Sequence, residues 1–453
     1  MTTRRIAFAI GVLIATFVAV GIHAGASEGG HFPSIASSTR ASFDCIDKPC
    51  DAAARGAVTF LDRKLKGMGT NGRACADCHM PNDHFQLSPQ DVEERFQSVQ
   101  QRRQASPNAD DPLFRPVDAD DFRTNGEQAH DYRNLRENGL IRIAFPLPPN
   151  IRLIDPVTDQ PSAESIVDVW RSVPSIENVA LSGPGTTNPW FRGPNEFGGY
   201  QLDARVRTLQ EQALGAFTNH AQAQQPPTER MLDDLAAFQG SLFTSPGVRD
   251  LEEGLRHGTT PLPDPDPILS PLEQQGKIVF IRACTQCHGG PDQTTAQPPV
   301  PHFQDIRTQC PRPVDTVSPP RFVFAACPER LAANARTYEV SLPNGVTTRR
   351  TSSDPGRALL TGFVGGPAPT DDWNKLDVPQ LRGISHTAPY FHNNSAASLD
   401  DVVDHYVTFF TMLRVTTPAG APPPPPTTTD GVHFDRAPLP AERKALLAYL
   451  HIL

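Results

Sequence analysis

A chain of 453 residues has room for two or three domains, and its 47 prolines break it into short helices joined by long irregular loops. Strand-like alternation is rare, so the expected fold class is mainly α. A formal net charge of −9 argues against nucleic acid as a partner and suits a basic one.

Met1-Thr2-Thr3-Arg4-Arg5 precedes an apolar run from Ile6 to Ile22 and then Ala24-Gly25-Ala26. That order is a secretory signal peptide, residues 1–26, with an uncleaved anchor as the lesser reading. Its removal takes the formal charge to −11, since two arginines leave. No later stretch is long and apolar enough to span a bilayer, so the periplasm is the expected location, without stable membrane insertion. Residues 27–50 are polar and irregular.

Ala52 to Lys66 reads as a helix with Ala53, Ala57, Phe60 and Leu61 on one face. Cys75-Ala76-Asp77-Cys78-His79 follows, a C-x-x-C-H run. Two thiols at this spacing reach both vinyl groups of one porphyrin, and the next imidazole then faces the iron. A single such run could also be half of a zinc site. From Ser88 to Gln104 a charged helix is expected, with Pro89 at its first turn. Residues 105–163 read mostly as loop. Thr208–Phe217 and Glu229–Phe243 read as helices, and the stretch of alternating prolines from Thr259 to Pro267 is the best boundary.

Ser270-Pro271-Leu272-Glu273 is a capping box opening a helix that leads into Cys284-Thr285-Gln286-Cys287-His288, a second C-x-x-C-H run. Two such runs in one exported chain point to two covalently bound haem c groups. Gly276 and Phe280 repeat the spacing of Gly56 and Phe60. The chain thus divides into residues 27–257, a linker 258–269, and residues 270–453, each large part a cytochrome c-like unit. The remaining cysteines suggest local disulfides, Cys45–Cys50 and Cys310–Cys327, against free buried thiols. Residues 415–430 hold a proline-rich insert, and Leu439–Leu453 closes the chain as a helix.

Several stretches are similar to the bacterial di-haem cytochrome c peroxidases, the family that includes MauG. They are Asp354-Pro355-Gly356-Arg357, Leu376 to Ile384, Thr387 to Ser395 and Leu399 to Val403, with Val173 to Val179 and Thr208 to Gly215 in the first half. The resemblance covers most of residues 52–453. It implies that peroxide reacts at the N-terminal haem, while the C-terminal haem passes or stores electrons. His79 and His288 are the implied proximal iron ligands, and Tyr406, seven residues after Leu399, is the implied distal ligand of the second iron, as in MauG. A phenolate there would depress the potential. His405 is the rival, and Met412 lies further along. For the first iron, His84 and His130 are the histidines on offer, but an open sixth position fits the resemblance better.

The family places Gln and, ten residues later, Glu in the peroxidatic pocket. Here these are Gln212 and Gln222. Glutamine cannot shuttle a proton, and His220 is the residue that could take over. Trp190 stands near the place of the family's inter-haem Trp, where it would bridge the haems or simply pack. An inter-haem calcium would take Thr387 and the carbonyl of Pro389, with Ser172 where the family has Asn. The expected function is peroxide reduction at the first haem, with electrons from a small cytochrome or cupredoxin, or from a protein substrate. A two-haem electron carrier and a dioxygen-using oxygenase are the alternatives.

Overall fold

Two helix crossings of the same geometry frame the molecule. In the computed structural model, the described residues are 51–119, 121–122, 128–129, 131–182, 199–285, 287–290, 293, 303–310, 329–365, 371–416 and 438–453. The longer helices are α1 Ala52–Leu61, α2 Pro89–Ala105, α3 Leu209–Gly215, α4 Glu229–Gly240, α5 Pro246–His257, α6 Pro271–Ala283, α7 Leu399–Thr416 and α8 Pro440–Leu450. Helix α1 buries Gly56, Ala57 and Phe60, and it crosses α4 so closely that a Cβ on Gly56 would stand 1.9 Å from the carbonyl oxygen of Asp234. Arg55 locks the crossing through hydrogen bonds to Asp234 of 2.7 and 2.8 Å. Helix α6 crosses α8 in the same way, with a Cβ on Gly276 2.0 Å from the carbonyl oxygen of Ala445. Arg282 reaches Glu442 at 2.9 Å beside it. The repeated glycine–phenylalanine spacing therefore marks two equivalent close approaches, the second directly before its C-x-x-C-H run and the first separated from its run by a loop.

Helix α1 stops at Leu61, earlier than Lys66. The chain then passes through left-handed residues at Leu65, Gly67, Gly69 and Gly72 before reaching Cys75. Leu65 and Met68 of this loop are buried with Phe60, Phe85, Phe217 and Leu235. Ser270 caps α6 as the sequence predicts, its hydroxyl accepting from the Glu273 amide and the Glu273 carboxylate accepting from the Ser270 amide. Helix α5 was not expected, although Ser245, Pro246 and Gly258 give it a hydroxyl cap, a proline first turn and a left-handed stop.

The mainly helical expectation needs one correction. Strands β1 Leu140–Pro146, β2 Ile151–Leu153, β3 Ile166–Ser172, β4 Arg336–Ser341 and β5 Thr347–Ser352 fall partly in the region read as loop. β1 pairs antiparallel with β3, with Ile143 opposite Val169. β4 pairs with β2 on one side and β5 on the other. Phe145, Ile151, Val167, Val169, Tyr338, Val340 and Trp373 share one core. That core, and the β2–β4 pairing, join residues on both sides of the 258–269 stretch. The stretch itself is anchored: the Asp266 carboxylate accepts from Lys277 Nζ at 2.7 Å and from the Tyr449 hydroxyl at 2.9 Å. It also pairs with Arg382.

A buried cluster joins the same two parts. Arg171, 1% exposed, donates to Asp354 at 2.6 and 3.0 Å and to Asp203 at 2.5 Å. Burial opposes every charge here, yet Arg171 holds both carboxyls below their usual range. Cys310 is disulfide-bonded and fully buried. Its expected partner Cys327, the Cys45–Cys50 pair, the signal segment and most of the proline-rich insert lie outside the described residues. No helix among the described residues is long and apolar enough to cross a membrane.

Candidate functional site

The first C-x-x-C-H run forms a tight turn, with the His79 amide bonded to the Cys75 carbonyl at 2.9 Å. Asp77 fixes that turn. Its carboxylate accepts from the Ala74 amide at 2.9 Å and from Arg95 at 2.8 Å, and it pairs with Arg63. Cys75 and Cys78 carry free thiols, which burial pushes up to about 12. The imidazole of His79 is also buried, which pushes it down to about 4 and keeps it neutral. Its Nδ1 lies 3.0 Å from the Phe85 carbonyl. A carbonyl only accepts, so Nδ1 carries the proton and Nε2 is left with a free lone pair, as an iron ligand would need.

The second run repeats this logic. The His288 amide bonds to the Cys284 carbonyl at 2.8 Å. Its ring Nδ1 faces two carbonyls, Pro379 at 3.1 Å and Gln293 at 3.3 Å. Cys284, Cys287, His288 and Tyr406 line one cavity of about 690 Å³, together with Phe280, Val403 and Phe410. This is the size of a cofactor pocket. Tyr406 stacks on Phe410 at 5.8 Å and meets Phe391 edge-on at 6.3 Å. Burial raises its hydroxyl above the ordinary phenol value.

The two candidates for the second distal ligand are separated by the pitch of α7. His405 is 1% exposed and its Nε2 donates to the Ile306 carbonyl at 2.6 Å, whereas Tyr406 lines the cavity. The side chain of Met412 lies outside the described residues. Both sites fit haem c: paired thiols, an imidazole with its proton on the far nitrogen, and for the second iron a buried phenol.

Around the first site, helix α3 carries Gln212, half-buried, and ends in a wider turn, Ala216–His220. The ring of His220 is hydrogen-bonded to Asp118 at 2.9 Å. Gln222 is exposed and left-handed, with its side-chain oxygen 3.4 Å from Asn71. Of the expected pocket pair, Gln212 is half-buried and Gln222 exposed. His84, a sixth-ligand candidate, is engaged elsewhere. Its ring stacks on His386 at 5.0 Å and lies 3.4 Å from the buried Glu177. Hydrogen bonding to Glu177 raises its pKa. His130 and Trp190 lie outside the described residues.

Thr387 and Pro389 line the cavity, and Gln86 donates to the Ala388 carbonyl between them at 3.0 Å. Ser172 donates to the Phe391 carbonyl at 3.3 Å nearby. Among the described residues no group of three His, Cys, Asp or Glu side chains is arranged to hold a metal ion. A calcium at this place would therefore rest on carbonyl and hydroxyl oxygens. Two residues that sequence reasoning missed are Asp118 and Arg73. Neither sits in a motif, and only the fold brings them beside His220.

No family model matches the chain. A cytochrome-c peroxidase, IdrP2 of Denitromonas iodatirespirans, is 28% identical over 144 residues, covering 30% of this chain and 32% of that protein. The chain thus aligns with about a third of that relative's length. Among solved structures, a MauG-like protein associated with microbial copper homeostasis is 17% identical, with 90% of each chain covered and a TM-score of 0.40. The diheme peroxidase BthA from Burkholderia thailandensis is 18% identical, with 90% of this chain and 87% of that chain covered and a TM-score of 0.37. In its matched sequence and its paired C-x-x-C-H runs, the chain is similar to the bacterial di-haem cytochrome c peroxidase and MauG family.

Proposed function

We propose that this chain is a periplasmic di-haem c oxidoreductase that reduces hydrogen peroxide at the His79 site. Electrons would pass through the His288 site from a small cytochrome or cupredoxin, or from a protein substrate. Bound haem c would supply the redox equivalents at both places. Cys75 and Cys78, and Cys284 and Cys287, would each hold one porphyrin by two thioethers, replacing thiols that burial favours protonated. His79 presents a neutral Nε2, and the Phe85 carbonyl orients the ring and strengthens its donation. Tyr406 closes the second site and keeps small oxidants from it. Gln212 orients the substrate by hydrogen bonding, and His220 holds or moves its proton. Calcium at Thr387 and Pro389, and the division into residues 27–257 and 270–453, belong to the same reading.

The observation that carries this function is the inequality of the two sites. A phenol enters the cavity of Cys284 and Cys287. His84, which would close the first iron in a pure electron carrier, is instead held by Glu177 and His386. A resting ferric spectrum of the natively produced holoprotein tests this. One high-spin and one low-spin centre are expected, with a spectral change at one equivalent of peroxide. Two low-spin centres and no response to peroxide would make the chain a carrier instead.

A further inference from the structure

We propose that Asp118 is a positioning residue that fixes His220 as the proton-transfer base of the His79 site. This rests on the peroxide-reducing reading above and adds a partner that reading does not require. The wider turn Ala216–His220 places the histidine, and the segment running into Cys75 pins it. The His220 carbonyl accepts from Asn71 Nδ2 at 2.9 Å and from Arg73 Nη1 at 3.0 Å. Its ring Nδ1 lies 2.9 Å from Asp118 Oδ1.

A carboxylate accepts, so Nδ1 carries the proton and Nε2 is the basic nitrogen. Asp118 is 3% exposed, and its other oxygen accepts from Arg73 at 2.5 Å. Arg73, 2% exposed, also donates to the carbonyls of Pro112 at 3.1 Å and Arg115 at 3.2 Å. The carboxylate is therefore fixed, with one oxygen committed to each neighbour.

The pair lies at the first site. His220 is among the charges that act on His79, after burial, and Arg73 and Asp118 both act on the Cys78 thiol. The charged and titratable groups around His220 are thus Asp118, Arg73 and His79. The Arg115 guanidinium turns aside to Asp110 at 2.6 Å. The His220 side chain keeps 28% exposure, enough to meet a small substrate. A purely structural bridge would need a donor toward Asp118 but no second nitrogen.

In the step proposed, Nε2 takes the proton from one oxygen of hydrogen peroxide and returns it to the other. The O–O bond breaks and its electron pair leaves with that second oxygen as water, while the first oxygen becomes a second water with the two electrons that bound haem would supply and two protons from solvent. His220 ends neutral, as it began, and Asp118 keeps the Nδ1 hydrogen bond throughout.

The test uses the haem-loaded holoprotein with Asp118→Asn, Asp118→Glu and His220→Asn. His220→Asn keeps a donor toward Asp118 and leaves the Arg73 pair covered, so it reports even if Asp118→Asn loads haem poorly. Two readouts are taken across pH: the rate of reaction with peroxide, and the affinity of the ferric protein for fluoride, which binds with uptake of one proton by a nearby base. His220→Asn should lower the peroxide rate about 10²–10⁴-fold, the usual worth of an acid–base group. Asp118→Asn should lower both the peroxide rate and the fluoride affinity, and Asp118→Glu, which restores a carboxylate acceptor for Nδ1, should recover part of both.

The proposal is overturned if Asp118→Asn leaves both the rate and the fluoride affinity unchanged, if Asp118→Glu recovers neither, or if His220→Asn keeps the full rate. An unaltered holoprotein that ignores peroxide would instead sink the peroxide-reducing reading, and fluoride affinity would still decide whether Asp118 positions His220.

Discussion

At Tyr406, burial and ligation pull the phenol in opposite directions. Burial favours the protonated hydroxyl, whereas a ferric iron held by His288 would favour phenolate, so binding must expel a proton. Anionic oxygen stabilises the oxidised iron. Tyr406→Met should therefore raise the potential of the second haem by about 0.1–0.3 V, a fraction of the ≈ 0.8 V that axial ligands command. A redox titration of the variant reads this directly, and an unchanged potential would remove Tyr406 from the iron. Tyr406→Phe should convert that centre to a high-spin spectrum. The choice between Tyr406 and His405 could not be read from spacing alone, because both are one residue apart on a helix. The proposal of Tyr406 leans on Ile306, ninety-nine residues away, whose carbonyl accepts from His405. The C-x-x-C-H runs were legible because haem attachment is written in five consecutive residues. Asp118 was not, because its role comes from a contact 102 residues distant in sequence.

The two glycine crossings belong to the scale of elements. Gly56→Ala and Gly276→Ala each push a methyl into a backbone carbonyl that no rotamer change can move. Each should destabilise by about 1–3 kcal/mol, the range for overpacking a fitted contact. Gly240→Ala, at the end of α4 with open space around it, should be neutral or stabilising by about 0.5–1 kcal/mol. Denaturant unfolding of the three variants checks the contrast, and equal effects would mean that the crossings are not tight. Helices were readable where caps and apolar faces coincide, as at Ser270 and α6. The strands were not: β5 is Thr-Thr-Arg-Arg-Thr-Ser, and only Ser352 of it is buried. Its place is dictated by pairing with β4 rather than by its own pattern.

For the whole molecule, the Arg171 cluster sets the response to acid. Asp203 and Asp354 sit below the ordinary 3.8 in the folded chain. Their contribution is complete above the unfolded carboxylate value and fades as pH falls toward the lower folded values. Thermal midpoints should accordingly drop below about pH 4. Asp354→Asn should lose about 3–5 kcal/mol at neutral pH, because half of the buried guanidinium's partners disappear, and its midpoint should depend less on pH in the acid range. Calorimetry across pH 2–7, about the span of the carboxylate titrations, would show both. The β2–β4 pairing has a separate consequence. Proteolytic nicking near Ile268, which is fully exposed, should yield two fragments that stay associated and elute as a single particle until denaturant is added.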